Sequence, residues 1–140
     1  SLDHLEADGE AALAEPLPGP LVDAGQFTFL GRGWTYGVAQ EAALKMREAA
    51  GAWTEAYPAK EYRHGPISVT GPRSVVWWLG EGASDVADEE ITRTGGRVAG
   101  FGRDPLAELV VVQRLAVAIA AARGLDPDEP RHLTRSVILG

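Results

Sequence analysis

The chain contains no cysteine among its 140 residues. Disulfide scaffolds, thiolate-ligated zinc, iron-sulfur clusters and thiol catalysis are therefore excluded. Positive charge is also scarce: 13 Lys and Arg stand against 20 Asp and Glu, for a net charge of -7. That balance argues against a nucleic-acid partner held by phosphate neutralisation and against an anionic membrane surface. No G-x-S-x-G motif, no G-x-x-x-x-G-K-[ST] loop and no convincing Ser-His-Asp set occurs. His4, His64 and His132 share no short ligand spacing, so neither a metal nor a cofactor is expected. There is no internal repeat and no low-complexity tract. Methionine occurs once, as Met46, and the chain opens on Ser1 without a charged-then-apolar leader. The expectation is a cytoplasmic location and a piece of a longer polypeptide.

What is present is an alternation of apolar segments and turn signals. Residues 1–14 form a weakly amphipathic helical stretch that Pro16, Pro18 and Pro20 terminate, giving a leading helix and Pro-rich linker over 1–25. A short strand at 27–30 meets the glycine turn Gly31-Arg32-Gly33 and then a helix over 35–50. The next strand spans 74–79, where Val75-Val76-Trp77-Trp78 is apolar throughout, as in strands buried on both faces. Ser84 fits an N-cap, with Asp85 and Asp88 in the first turn and Gly95-Gly96 as the stop. A third strand is expected at 97–102. The last helix starts at Asp104-Pro105 and runs to Arg123, although Leu109 to Val112 alone would also suit a strand. Glu108, Gln113 and Arg114 interrupt its apolar face, which argues against a membrane span. Residues 126–131 form a proline-bracketed tail. The alternation predicts an α/β domain over 26–140 with a mainly parallel sheet and helices on both faces. Ligands of such sheets sit at the strands' carboxyl ends, here residues 31–33, 80–84 and 102–104.

Several side chains could carry chemistry. Glu41, Lys45 and Glu48 fall on one helix face at spacings of four and three. Two readings stand: a salt-bridged surface stripe, or a general base at Glu48 tuned by Lys45. His64 sits just before Gly65-Pro66, where a helix must end, and reads either as a surface or capping histidine or as a proton shuttle. Glu61, three residues earlier, is a weak metal-ligand companion. Gly31-Arg32-Gly33 matches half of a dinucleotide fingerprint, but position 36 is Tyr36 and Gly37 comes one residue late, so the bland alternative is a tight turn.

The blocks Leu30-Gly31-Arg32-Gly33, Val38-Ala39-Gln40-Glu41-Ala42-Ala43-Leu44-Lys45-Met46-Arg47-Glu48, Glu55-Ala56-Tyr57 and Arg63-His64-Gly65-Pro66, with the tail from Gly124 to Val137, together resemble the sugar isomerase (SIS) family. The resemblance covers most of the chain from Phe27 onward. It implies a flavodoxin-like three-layer α/β/α sandwich, the C-terminal half of a tandem SIS unit, binding a sugar phosphate. It also implies a partner: a second SIS half or subunit, as in a homodimer. By the same resemblance, Glu48 matches the base that moves a proton between C1 and C2 through an enediol-like intermediate, with Lys45 and Glu41 beside it. His64 matches the histidine that assists ring opening from across a subunit interface. Gly31, Arg32, Gly33, Glu41, Thr134 and Arg135 complete the implied substrate-binding set. Arg135 stands where the family's synthases carry a lysine, and a guanidinium forms no Schiff base. That points to an isomerase, deaminase or deglycase, or to a non-catalytic sensing or dimerisation module.

Overall fold

β1 (Gln26–Gly31) is buried at every position. Such a strand needs cover on both sides, and the rest of the chain supplies it. The computed structural model describes residues 2–62, 64–80, 85–100 and 102–125. Around β1 stand β2 (Trp53–Pro58), β3 (Ser74–Trp78) and β4 (Arg97–Ala99), in the order β2-β1-β3-β4 with every pairing parallel. Alternate side chains go to opposite layers. Phe27, Phe29, Val75, Trp77 and Ala99 join one core with α1 (Leu2–Ala14), α2 (Gly19–Val22), α3 (Trp34–Ala50) and α6 (Pro105–Ala122). Leu30, Val76 and Trp78 join a second, smaller core with α4 (Ala59–Tyr62) and α5 (Asp85–Arg93). The expected three-layer α/β/α sandwich is thus what the chain forms.

The first core is aromatic at its centre, where the rings of Phe29 and Trp77 lie 6.1 Å apart. α6 is long and apolar enough to cross a membrane by composition alone, at mean hydropathy 1.7. Here Val111, Val112, Leu115 and Ile119 are buried against the sheet layer, so it is a core helix. Asp104 caps it by accepting from the Leu106 amide, and Pro105 opens it, as the Asp-Pro pair requires. Two of the polar residues that interrupt α6 have structural partners. Glu108 is buried and accepts from Trp77 Nε1 at 2.8 Å. Arg114 donates to the carbonyls of Ala12 and Glu15, both at 2.8 Å, capping the exposed end of α1.

Those bonds make residues 2–25 an integral layer. Ala12, Leu21 and Ala24 belong to the main core, Asp8 accepts from the Asp104 amide, and Glu15 pairs with Arg103. Within the stretch expected as linker, Pro18 and Pro20 start the short helix α2.

Two expectations need correction. The sequence pattern predicts no strand between 50 and 74, yet β2 lies there as the sheet's edge. It is half-exposed along most of its length and ends in Pro58, so its apolar signal is weak. β4 stops at Ala99 instead of 102, because Gly100 turns the chain with φ of 128°. Ser84, expected as an N-cap, falls outside the described residues.

Candidate functional site

From β1 the chain turns to α3 on one face; from β3 it turns to α5 on the other. The crevice between the carboxyl ends of β1 and β3 is therefore the topological switch point, where sheets of this strand order bind ligands. Gly31-Arg32-Gly33 follows β1 there, and Gly80, after β3, packs against it: a Cβ on Gly80 would lie 3.3 Å from the Thr35 methyl group. Two features show how tightly this turn is built. A Cβ on Gly31 would lie 2.4 Å from the Thr35 carbonyl oxygen, so only glycine lets β1 meet the first turn of α3. The Thr35 hydroxyl accepts from the Arg32 amide at 2.7 Å and donates to the Arg32 carbonyl at 2.9 Å. The Arg32 amide is thus satisfied within the turn. Arg32 extends over the Trp78 ring, 5.8 Å from its centroid, and Trp78 Nε1 donates to Asp88.

α3 returns antiparallel to the strands, so its last turn lies at the amino end of the sheet. Glu41, Lys45 and Glu48 occupy one half-exposed flank of it. Lys45 pairs with Glu41 at 3.4 Å, both partly in solvent. Such a pair contributes a few tenths of a kcal/mol. Glu48, half-buried in the last turn, has neither hydrogen bond nor ion pair among the described residues. Its neighbour Arg47 donates to the Thr54 carbonyl at 3.1 Å and Thr54 donates to the Ala43 carbonyl at 2.9 Å, which fastens the end of α3 to β2. Spacing put the three side chains on one face, but Lys45 serves Glu41 and leaves Glu48 open.

His64 lies at the other end. β2 leads through Pro58 into α4, whose last residue is Tyr62, and His64 follows on an exposed turn with its amide bonded to the Glu61 carbonyl at 3.1 Å. The six residues of β2 separate this turn from the end of α3 by about 20 Å, at roughly 3.3 Å per residue. Glu48 and His64 of one chain therefore do not meet. His64 shares the carboxyl edge with the switch-point turn, since Pro58 pairs with Gly31. Thr134 and Arg135 lie outside the described residues.

The block Glu55-Ala56-Tyr57 lies on β2, and the strand gives two of its side chains a relation. Glu55 and Tyr57 stand two apart on one strand face, a spacing that could have shown the pair had the strand been recognised. Tyr57 donates its hydroxyl to Glu55. That hydrogen bond, then burial, then the carboxylate's charge push the phenol up to about 12. The folded chain thus holds this proton more tightly than the unfolded one. The resulting stabilisation is intact below pH 10.0 and is lost as pH rises toward about 12. A spectrophotometric titration should place one phenol near that upper value, and Glu55→Gln should lower it; an unmoved titration would contradict the pairing.

The layers and the all-parallel strand order define an α/β/α sandwich domain whose ligand edge lies at the carboxyl ends of the strands. Comparison with known proteins gives the same class. The chain is 32% identical over 93% of its length to glutamine-fructose-6-phosphate aminotransferase [isomerizing] of Nostoc sp. (strain PCC 9229). It is 33% identical over 81% of its length to the enzyme of that name from Bacteroides thetaiotaomicron. It spans only about a quarter of those relatives, 25% and 23% respectively. Among solved structures, glucosamine-6-phosphate deaminase of Thermotoga maritima superposes with a TM-score of 0.74 at 26% identity, covering 93% of this chain and 44% of that one. Tagatose-6-phosphate ketose/aldose isomerase of Escherichia coli shares the fold, with a TM-score of 0.67 at 16% identity over 89% of this chain and 44% of that one. No family model matches the chain. The chain belongs to the sugar isomerase (SIS) family.

Proposed function

We propose that this chain is the acid-base half of an enzyme acting on a sugar phosphate: an aldose-ketose isomerase, or an amino-sugar-phosphate isomerase, deaminase or deglycase. In this reading residues 26–140 are the C-terminal half of a tandem SIS unit in a cytoplasmic homodimer. Glu48 takes the proton from one of the two carbons C1 and C2 of the open-chain sugar, giving an enediol-type intermediate. It then returns the proton to the other carbon. His64 assists ring opening, and Lys45 and Glu41 flank the base.

The placement of the two groups carries this reading. Glu48 is a half-buried carboxylate with no partner among the described residues, beside a lysine already engaged by Glu41. It is free to act as a base without first breaking an ion pair. His64 is exposed at the far end of β2, where it is presented outward. A base and a ring-opening group that cannot reach one sugar within one chain can do so between two, as a symmetric pair of chains allows.

The switch-point turn favours a second reading. With the Arg32 amide taken by Thr35, this chain presents a closed turn there, as a sensing or dimerisation module would. A partner half that supplies the phosphate cradle reconciles the turn with catalysis. Fructose 6-phosphate separates the readings. An enzyme half in its assembled protein both turns it over and is stabilised, by about 2.7 kcal/mol at roughly a hundredfold excess over Kd. A sensor is stabilised without turnover, and a pure scaffold does neither. Absence of both would overturn the proposal.

A further inference from the structure

The segment that carries His64 is held by two hydroxyls that the reaction itself does not use. Tyr62, only 1% exposed, and Thr70, 7% exposed, are joined hydroxyl to hydroxyl across the second core. They bracket the turn bearing His64 and the 3-10 turn at Pro66–Val69. Between them the backbone is locally closed: the Ser68 amide bonds the Gly65 carbonyl at 2.9 Å and the Thr70 amide bonds the Ile67 carbonyl at 3.0 Å. Thr70 is wedged in turn, because a Cβ on Gly96 would come within 2.7 Å of its methyl group. The Tyr62 ring rests 6.4 Å from that of Tyr57, whose hydroxyl is tied to Glu55 on β2. Both ends of a short exposed loop are thereby fixed to the sheet layer while its tip is left in solvent.

We infer that the Tyr62-Thr70 pair, backed by Gly96, is a positioning device that fixes where His64 is presented to a neighbouring chain. The inference rests on the role proposed above for His64. Neither residue touches the sugar. Burial of both hydroxyls makes the pair hard to dispense with, since removing one leaves the other without its partner away from water.

The test uses the full chain in its assembled protein, with Tyr62→Phe and Thr70→Val as breaking variants and Thr70→Ser as the variant that keeps the hydroxyl. Amide hydrogen exchange at His64, Ser68 and Thr70 should accelerate by about tenfold or more in the two breaking variants. Exchange at Phe29 and Val76 should stay as in the wild type, and Thr70→Ser should behave as wild type throughout. With fructose 6-phosphate, the breaking variants should lower kcat and leave KM unchanged, and Thr70→Ser should restore kcat. Unchanged exchange in both breaking variants would overturn the pinning of the loop. Accelerated exchange with unchanged kcat would overturn its role in positioning His64. A wild-type protein that does not turn over the sugar would instead overturn the role of His64, and the exchange result would then decide the pinning by itself.

Discussion

Glutamine in place of Glu48 is expected to cost the assembled protein about two to four orders of magnitude in sugar-phosphate isomerisation. The substitution is nearly isosteric, and Glu48 has no hydrogen bond or ion pair among the described residues for it to break. Folding stability and affinity for fructose 6-phosphate should therefore stay close to wild type. What is lost is the ability to accept a carbon-bound proton, so exchange of a C1 hydrogen of fructose 6-phosphate with solvent should disappear along with turnover. Glu41→Gln provides the contrast, because it removes a partly solvated pair with Lys45 that contributes only a few tenths of a kcal/mol. Turnover of Glu48→Gln within a few-fold of wild type would remove Glu48 from the mechanism and return the flank to a surface stripe.

The largest expected effect on stability belongs to Gly31. An added methyl group would lie 2.4 Å from the Thr35 oxygen, 2.5 Å from its carbonyl carbon and 2.6 Å from the Tyr36 nitrogen. All three are backbone atoms, so no side chain can swing aside, and the first turn of α3 must leave β1. The Arg32-Thr35 hydrogen bonds that shape the turn would be strained with it. Gly31→Ala should destabilise the chain by about 3 kcal/mol or more in chemical denaturation. Gly37→Ala is the internal control. It sits in the exposed interior of the same helix with nothing near its Cβ position, and should be neutral or stabilising by up to about 1 kcal/mol. A loss at Gly31 no larger than at Gly37 would show that the turn adapts, and would reopen it as a binding loop.

The sequence marked the central elements because their signals are local. Four apolar residues in a row at β3, the Asp104-Pro105 start of α6 and the Gly31-Arg32-Gly33 turn before α3 each act within a few residues. β2 escaped because this edge strand buries only Thr54 fully and leaves the rest at least partly exposed: Glu55 and Pro58 read as loop, while the pairing of Gln26 with Trp53 through Gly31 with Pro58 is a tertiary fact. The N-terminal helix shows the same limit. Its amphipathic pattern is weak because much of its attachment is polar and distant in sequence, through Asp8 to the Asp104 amide and Glu15 to Arg103. At the site, helical spacing sufficed to align Glu41, Lys45 and Glu48. It could not say which carboxylate Lys45 would choose, since both spacings are within reach. Nor could it say that β2 separates Glu48 from His64, because that strand was not seen.

That separation is where the account is most exposed to test. Glu48→Gln and His64→Asn chains, each inactive alone, should be mixed under conditions that let subunits exchange, and assayed with fructose 6-phosphate. If the base and the histidine serve one sugar from two chains, mixed dimers contain one intact site for every fully defective one. Activity should then return to about a quarter of the wild-type level at equal mixing. If both groups act within a single chain, every site in the mixture lacks one of them, and no activity would return.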